Sequence, residues 1–305
     1  SLLTSEPVVL NGIPPLADVR SMIRLLGELG MRVDRSGRTI GLHAEDEQRF
    51  HARYDIVKTM RASICVLGPL LARYGQARVA MPGGCAIGDR PVDLHLRGLE
   101  ALGARIELDG GDIVARADRL TGGTVFLGGP FGSTVLGTAN VMCAATRAEG
   151  VTVIESAACE PEIMDLATML NSMGASITGA GTPRITVRGC NELFGCDHRV
   201  MPDRIVAGTL AIASAITNGD VTLEDFDPTI KGLQPPGAIS LTSDASTTLT
   251  SGDTSIVRIR FEADPSTSAS AVSYEWQFQQ MGEPWQAGGT IDVGGKGHAA
   301  GGGTP

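Results

Sequence analysis

Apolar positions in this chain recur in a repeating pattern. Three stretches, LLGELGMRVDRSGRTIGLHA, LEALGARIELDGGDIVARA and LNSMGASITGAGTPRITVRG, each run from an amphipathic helix ending in L-x-x-x-G into a strand, a turn and a second strand. Their glycines, Gly30, Gly103 and Gly174, lie 73 and 71 residues apart. Each fits the left-handed position that closes a helix, and the V-x or I-x alternation after it reads as a strand. A second pattern interleaves with the first: LLARYGQARVAMP, AATRAEGVTVIES and ASAITNGDVTLED, with Gly75, Gly150 and Gly219. Together they predict an α/β fold built from units of helix, strand, loop, helix and strand pair, each about 70 residues long.

The pattern has irregular ends. The first copy begins at SLLTSEPVVL with only the last turn of its first helix, and a fourth opens as PDRIVAGTLAIASAITNGDVTLED. That copy should continue into another helix. After Asp227 the chain instead turns rich in Ser and Thr, with alternating strands and both tryptophans, Trp276 and Trp285, which is the pattern of a β-sandwich. The expected organisation is an α/β lobe over residues 1–228, a small all-β segment over 229–292 and a Gly-rich tail over 293–305. A length of 305 residues agrees with two folded units.

Composition narrows the function. Hydrophobic residues at 42% and charged residues at 19% support a packed core. A net charge of -9 argues against a general nucleic-acid partner, which needs a basic face. No apolar run approaches the roughly 20 residues that span a bilayer, and SLLTSEPVVL lacks a signal-peptide pattern, so no membrane partner and a cytoplasmic location are expected. Six cysteines without a CxxC pair or zinc-like spacing predict reduced thiols, no metal and no cofactor.

The candidate chemistry centres on MPGGCAIGDRPVDLH, Met81 to His95. Cys85 sits in a glycine-rich loop between the strand ARVAM and a helix beginning near Pro91. Backbone amides at a helix N-terminus lower a thiol pKa and cradle anions, and Arg90 adds a bidentate donor. Cys85 therefore reads either as a reactive thiol or as a small buried turn residue. In YDIVKTMRASICVLGPL, Lys58 and Arg61 fall on one face of a helix, by themselves a solvated cationic face. Asp93 reads as a helix cap and His95 as a surface residue. The glycines of GGPFGSTVLGTAN, residues 128–140, bring backbone amides to a polar ligand or merely form a turn.

MPGGCAIGDRPVDLHLRGLEALGA, DIVKTMRASICVLGPLLARYG, VMCAATRAEGVTVIESAACEPEIMDL and MPDRIVAGT resemble the UDP-N-acetylglucosamine 1-carboxyvinyltransferases, members of the enolpyruvyl transferase family, over Leu2 to about Asp227. The resemblance implies a lobe of βαβαββ units packed inside-out, and as substrates UDP-N-acetylglucosamine and phosphoenolpyruvate for peptidoglycan synthesis. It implies Cys85 as the general acid at phosphoenolpyruvate and the fosfomycin target, Arg90 on its phosphate, and Arg61 facing the same substrates. Pro91, Val92, Asp93 and Leu94 match the segment at the uridine end. Ser133, Thr134 and Val135 fall where the family binds diphosphate and uridine, with a spacing that differs by one residue from the commoner S-V-G-A-T form.

Parts of the family pattern have no counterpart in this sequence. The Lys-Asn pair near the family's N-terminus would precede Ser1, and the aspartate base and closing arginine belong to a second lobe. From Asp227 onward that lobe is replaced, weakly resembling fibronectin type III-like modules of phage tails in Q-P-P-G and Y-E-W-Q-F-Q. The expectations are a chimeric reading frame, little turnover, and self-association through the uncovered face of the lobe. The alternative is a binding module that carries a non-catalytic lobe.

Overall fold

A computed structural model describes residues 1–46, 49–82, 92–130, 132–216, 220–224, 255–260, 271–280 and 286–294. Two compact units divide between Met201 and Pro202.

The first unit opens with β1 (Val8–Asn11), α1 (Ala17–Glu28), β2 (Met31–Ser36) and β3 (Thr39–Ala44). Next come β4 (His51–Ala52), the short helix α2 (Tyr54–Val57), a 3-10 helix (Arg61–Val66) running into α3 (Leu67–Tyr74), β5 (Gln76–Ala80), α4 (Asp93–Ala101), β6 (Arg105–Asp109) and β7 (Asp112–Arg116). Its last stretch holds β8 (Thr124–Phe126), the two-residue strands β9 (Gly128–Gly129) and β10 (Gly132–Ser133), α5 (Val135–Ala145), β11 (Val151–Glu155), α6 (Pro161–Ser172), β12 (Ser176–Thr178), β13 (Arg184–Arg188) and β14 (Cys196–Arg199).

Three four-stranded sheets share one pairing scheme, with orders β14-β1-β3-β2, β4-β5-β7-β6 and β8-β11-β13-β12. In each, the first pair is parallel and the other two are antiparallel. The helix closures explain part of this regularity. Gly30, Gly103 and Gly174 follow the last helical residues of α1, α4 and α6 with φ of +82°, +93° and +98°, a region open to glycine at little cost. The chain thus turns at once into β2, β6 or β12.

The sheet holding β1 is completed from far along the chain: Val8 to Asn11 pair in parallel with Cys196 to Arg199. The Asn11 amide donates to Asp197 at 2.6 Å, and the Val200 N–H donates to the Asn11 carbonyl at 2.9 Å.

Helix α5 is the hub of the core. Gly137, Thr138, Asn140, Val141, Met142, Ala144 and Ala145 are all buried, packed by α3, α4, α6 and β11, while Leu136 on the remaining face is exposed. Leu67, Leu70, Leu71, Leu99, Leu102 and Leu127 are almost wholly enclosed around it. Each such leucine contributes about 2 kcal/mol of burial.

The second unit, described by itself, begins with α7 (Arg204–Ile216), whose start is capped by Asp203 Oδ1 accepting from the Ile205 and Val206 amides at 3.0 Å each. Then β15 (Asp220–Glu224), β16 (Ser255–Arg260), β17 (Ala271–Gln280) and β18 (Gln286–Gly294) form one antiparallel sheet in chain order. Among the described residues these strands make a single sheet rather than two facing ones. Its first strand, β15, precedes the junction read from the sequence at 228 and pairs with β16 beyond it, Leu223 opposite Val257. Trp276 is opposite Ile259 and Gly289, while Trp285 lies outside the described residues. Among the described residues no helix is long and apolar enough to cross a membrane, and no group of three or more His, Cys, Asp or Glu could hold a metal ion.

Candidate active site

Three elements carry the described candidate residues. Val92 is the cap residue of α4 and Asp93 the first residue of its first turn, where the helix dipole favours a carboxylate. Asp93 is therefore beside the cap, correcting the expectation that it is the cap. Leu94 reaches the hairpin of β9 and β10: a Cβ on Gly129 would stand 3.2 Å from Leu94 Cδ1. In that hairpin Gly128 pairs with Ser133, which is exposed. Thr134 then caps α5, its hydroxyl accepting from the Gly137 N–H at 3.1 Å, and Val135 begins the helix. Arg97 of α4 fastens the other side of the hairpin by donating to the Phe126 carbonyl at 3.2 Å and the Gly128 carbonyl at 2.8 Å. Leu94 and Arg97 thus tie the first turns of α4 to the hairpin of β9 and β10.

Arg61 opens the 3-10 helix after Met60, whose φ of −152° and ψ of 121° are extended. This corrects the expectation that Lys58 and Arg61 share a helix face, because α2 stops at Val57 and the chain straightens before Arg61. Lys58 lies 5.3 Å over the Tyr54 ring. Among the described residues, no hydrogen bond or ion pair engages the Arg61 guanidinium.

Asn140 joins these elements. Its Oδ1 accepts from the Gly68 N–H at 2.6 Å, and its Nδ2 donates to the Ile64 carbonyl at 3.1 Å and meets His95 Nδ1 at 3.1 Å. In an uninterrupted α-helix the Gly68 N–H would donate to the Ile64 carbonyl. Here Asn140 reaches both groups from outside, at the point where the 3-10 helix becomes α3. Gly68 makes this approach feasible, since a Cβ there would overlap the carbonyl and side-chain oxygens of Asn140.

The same contacts fix the state of His95. With Oδ1 committed to an N–H donor, Nδ2 is the amide's donor end, so His95 Nδ1 accepts and the ring proton sits on Nε2. His95 is 5% exposed, which overturns its reading as a surface residue: Asp93 and Arg97 face solvent while His95 turns inward to a partner 45 residues away. Its pKa is lowered to about 4, by burial first and by the Arg61 charge second, with Asp93 opposing them.

Cys85, Arg90 and Pro91 lie outside the described residues. The five described cysteines are free thiols. Burial pushes Cys65 up to about 12, with Cys143 adding to the rise, and pushes Cys143 up to about 11. Since the thiolate is the nucleophile, maleimide at pH 7.5 is expected to label exposed Cys159 and leave these two unmodified in the folded protein. Labelling of Cys65 as fast as Cys159, followed by peptide mass mapping, would contradict this.

A family model, EPSP synthase (3-phosphoshikimate 1-carboxyvinyltransferase), matches residues 1–276. The chain belongs to this family of enolpyruvyl transferases. Over 224 residues, 73% of the chain, it is 52% identical to a UDP-N-acetylglucosamine 1-carboxyvinyltransferase of Methylacidiphilum infernorum (isolate V4), covering 53% of that protein. It is 51% identical over 224 residues to the same-named protein of Akkermansia muciniphila, covering 52% of it. The chain thus spans about half the length of the curated relatives it matches. Among solved structures, the enolpyruvyl transferase NikO from Streptomyces tendae matches with a TM-score of 0.63 at 22% identity, over 73% of this chain and 52% of that one. The EPSP synthase of Acinetobacter baumannii matches with a TM-score of 0.58 at 20% identity, over 76% and 53%. These two likenesses show the mixed α/β enolpyruvyl transferase fold. The fibronectin type III-like reading of residues 229–292 gains no support from these matches.

Sequence reasoning missed Asn140. A signal existed: it is a lone amide inside TANVMCAA, a helix otherwise made of small and apolar residues. A polar side chain buried there must be hydrogen-bonded.

Proposed function

We propose that this chain carries the cysteine-bearing lobe of an enzyme that transfers enolpyruvyl from phosphoenolpyruvate to the 3-hydroxyl of UDP-N-acetylglucosamine, in the cytoplasm, for peptidoglycan synthesis. The observation that carries the reading is the identity of about half the residues with the named relatives across the lobe. In this reading Val92, Asp93 and Leu94, with Pro91, hold the uridine end, and Ser133, Thr134 and Val135 hold uridine and diphosphate. Arg61 and Arg90 balance the negative charge of the substrates. Cys85 delivers a proton to the C3 methylene of phosphoenolpyruvate while the sugar hydroxyl attacks C2. The tetrahedral adduct then expels phosphate from C2 and gives up a proton from C3, which restores the carbon–carbon double bond in the product.

The reading treats the three like-paired sheets as repeated βαβαββ units packed inside-out, and residues 229–292 as a small all-β segment of a chimeric frame whose strand β16 pairs with β15 before the junction. The residues assigned to the base and to closure over the substrate belong to a part of the family pattern that these 305 residues do not match. Turnover by these residues alone is accordingly little or none. Titration calorimetry tests the proposal: saturable UDP-N-acetylglucosamine binding is expected, weakened about tenfold in Asp93→Ala. Phosphate release, where it occurs, requires both substrates and vanishes in Cys85→Ala. A chain that ignores the sugar nucleotide sinks the proposal, and robust turnover sinks the impairment. Self-association through the uncovered face is part of the reading, supported by exposed Phe126 and Leu136 near the hairpin. A strictly monomeric chain at high concentration in sedimentation would oppose it.

A further inference from the structure

We propose that Asn140 and His95 are positioning residues for the sugar-nucleotide site, holding the first turn of α4 and the Arg61 helix in fixed register through one buried amide. The proposal rests on the reading that residues 92–94 and Arg61 face the substrate. It also adds a condition to that reading. The link exists only while His95 is neutral with its proton on Nε2.

The geometry gives the reason. Arg61 and the 92–94 segment belong to different elements, and in the proposed site both meet the same ligand. Something must set their separation. Val92 to Leu94 lie within three residues of His95 on the same helical turn, and the carbonyl of Ile64 is one turn of 3-10 helix beyond Arg61. Asn140 is hydrogen-bonded to both His95 and Ile64 and is itself 1% exposed on the most enclosed helix of the lobe. Gly68 completes the clamp on the far side. A side chain fixed at three points in a close-packed core transmits position with little slack.

Protonation breaks the arrangement. A second proton on His95 would face the Asn140 NH2 group donor to donor, and the amide cannot flip without abandoning Gly68 and Ile64. The charged groups acting on the ring are Arg61, from the 3-10 helix, and Asp93, from its own helix. Asn140, from α5, is neutral. A cationic His95 would repel Arg61, so acid loosens the same two elements that the clamp holds.

Long-range proton–nitrogen NMR of the histidine-labelled full chain at pH 7 is expected to show His95 neutral with Nε2–H. An Nδ1–H tautomer or a cation would overturn the clamp. Calorimetry with UDP-N-acetylglucosamine then compares two variants of matching circular dichroism. His95→Leu, which offers no acceptor, is expected to bind about tenfold more weakly. His95→Asn, whose Oδ1 can take the place of Nδ1, is expected to bind within about twofold of the parent, and to keep its affinity at pH 4, where about half of the parent's His95 is protonated and its affinity falls. Equal binding by the parent and His95→Leu overturns the positioning role alone. No binding by the parent overturns the reading of the site, and the tautomer still reports whether the hydrogen bond forms.

Discussion

Alanine at position 68 is expected to destabilise the first unit by about 3 kcal/mol or more. The added methyl would overlap two oxygens of Asn140, one in its backbone, so relief requires moving α3 away from α5 rather than turning a side chain. Overpacking costs about 1–3 kcal/mol, and separation breaks buried hydrogen bonds from Asn140 worth about 1 kcal/mol each, more when a partner is left unsatisfied. Urea unfolding is expected to show a midpoint lower by about 1 M or more. Gly27→Ala is the control. It lies inside α1 with nothing within 4 Å of an added Cβ, so the same substitution there should stabilise by up to about 1 kcal/mol. A Gly68→Ala midpoint matching the parent would mean that α3 and α5 do not meet as described.

Acid is expected to cost about 3 kcal/mol of stability through His95 alone. Its pKa is near 6.5 in the unfolded chain and about 4 in the fold. Between these values the unfolded state binds the extra proton, so stability is complete above pH 6.5 and is lost as pH falls towards 4. Each pH unit within that window is worth about 1.4 kcal/mol. Carboxylates add their own acid dependence, and the measurement is therefore a difference: urea unfolding of the parent and of His95→Asn at several pH values from 7 to 4. The parent should lose stability more steeply, and parallel curves would refute the buried neutral state.

These two positions also show what a single sequence discloses. The glycines that end α1, α4 and α6 were legible because a helix closure is local: the residue and its conformational need sit in the same stretch. The pairing of their following strands was legible for the same reason. His95 was not. In DLHLRGLE its neighbours alternate in a way that permits either face, and the group that draws it inward, Asn140, comes from another helix. The break before Arg61 was equally hidden, since YDIVKTMRASICVLG contains no proline or glycine before Gly68. Buried Met60 and the grip of Asn140 on Ile64 and Gly68 hold that irregular turn in place. The family resemblance assigns substrate residues because it lies in short, specific motifs. It said nothing about what holds them together.

The parallel seam between β1 and β14 bears on how the molecule is made. Val8 waits for Cys196, so the first sheet cannot be completed during synthesis until nearly the whole unit has left the ribosome. The strands β2 and β3 can form their hairpin early, but β1 keeps one unpaired edge throughout that interval. Such long-range closure slows folding and leaves a template for pairing with other chains. Nascent chains stalled before residue 196 should therefore bind holdase chaperones more strongly than chains released beyond Arg199.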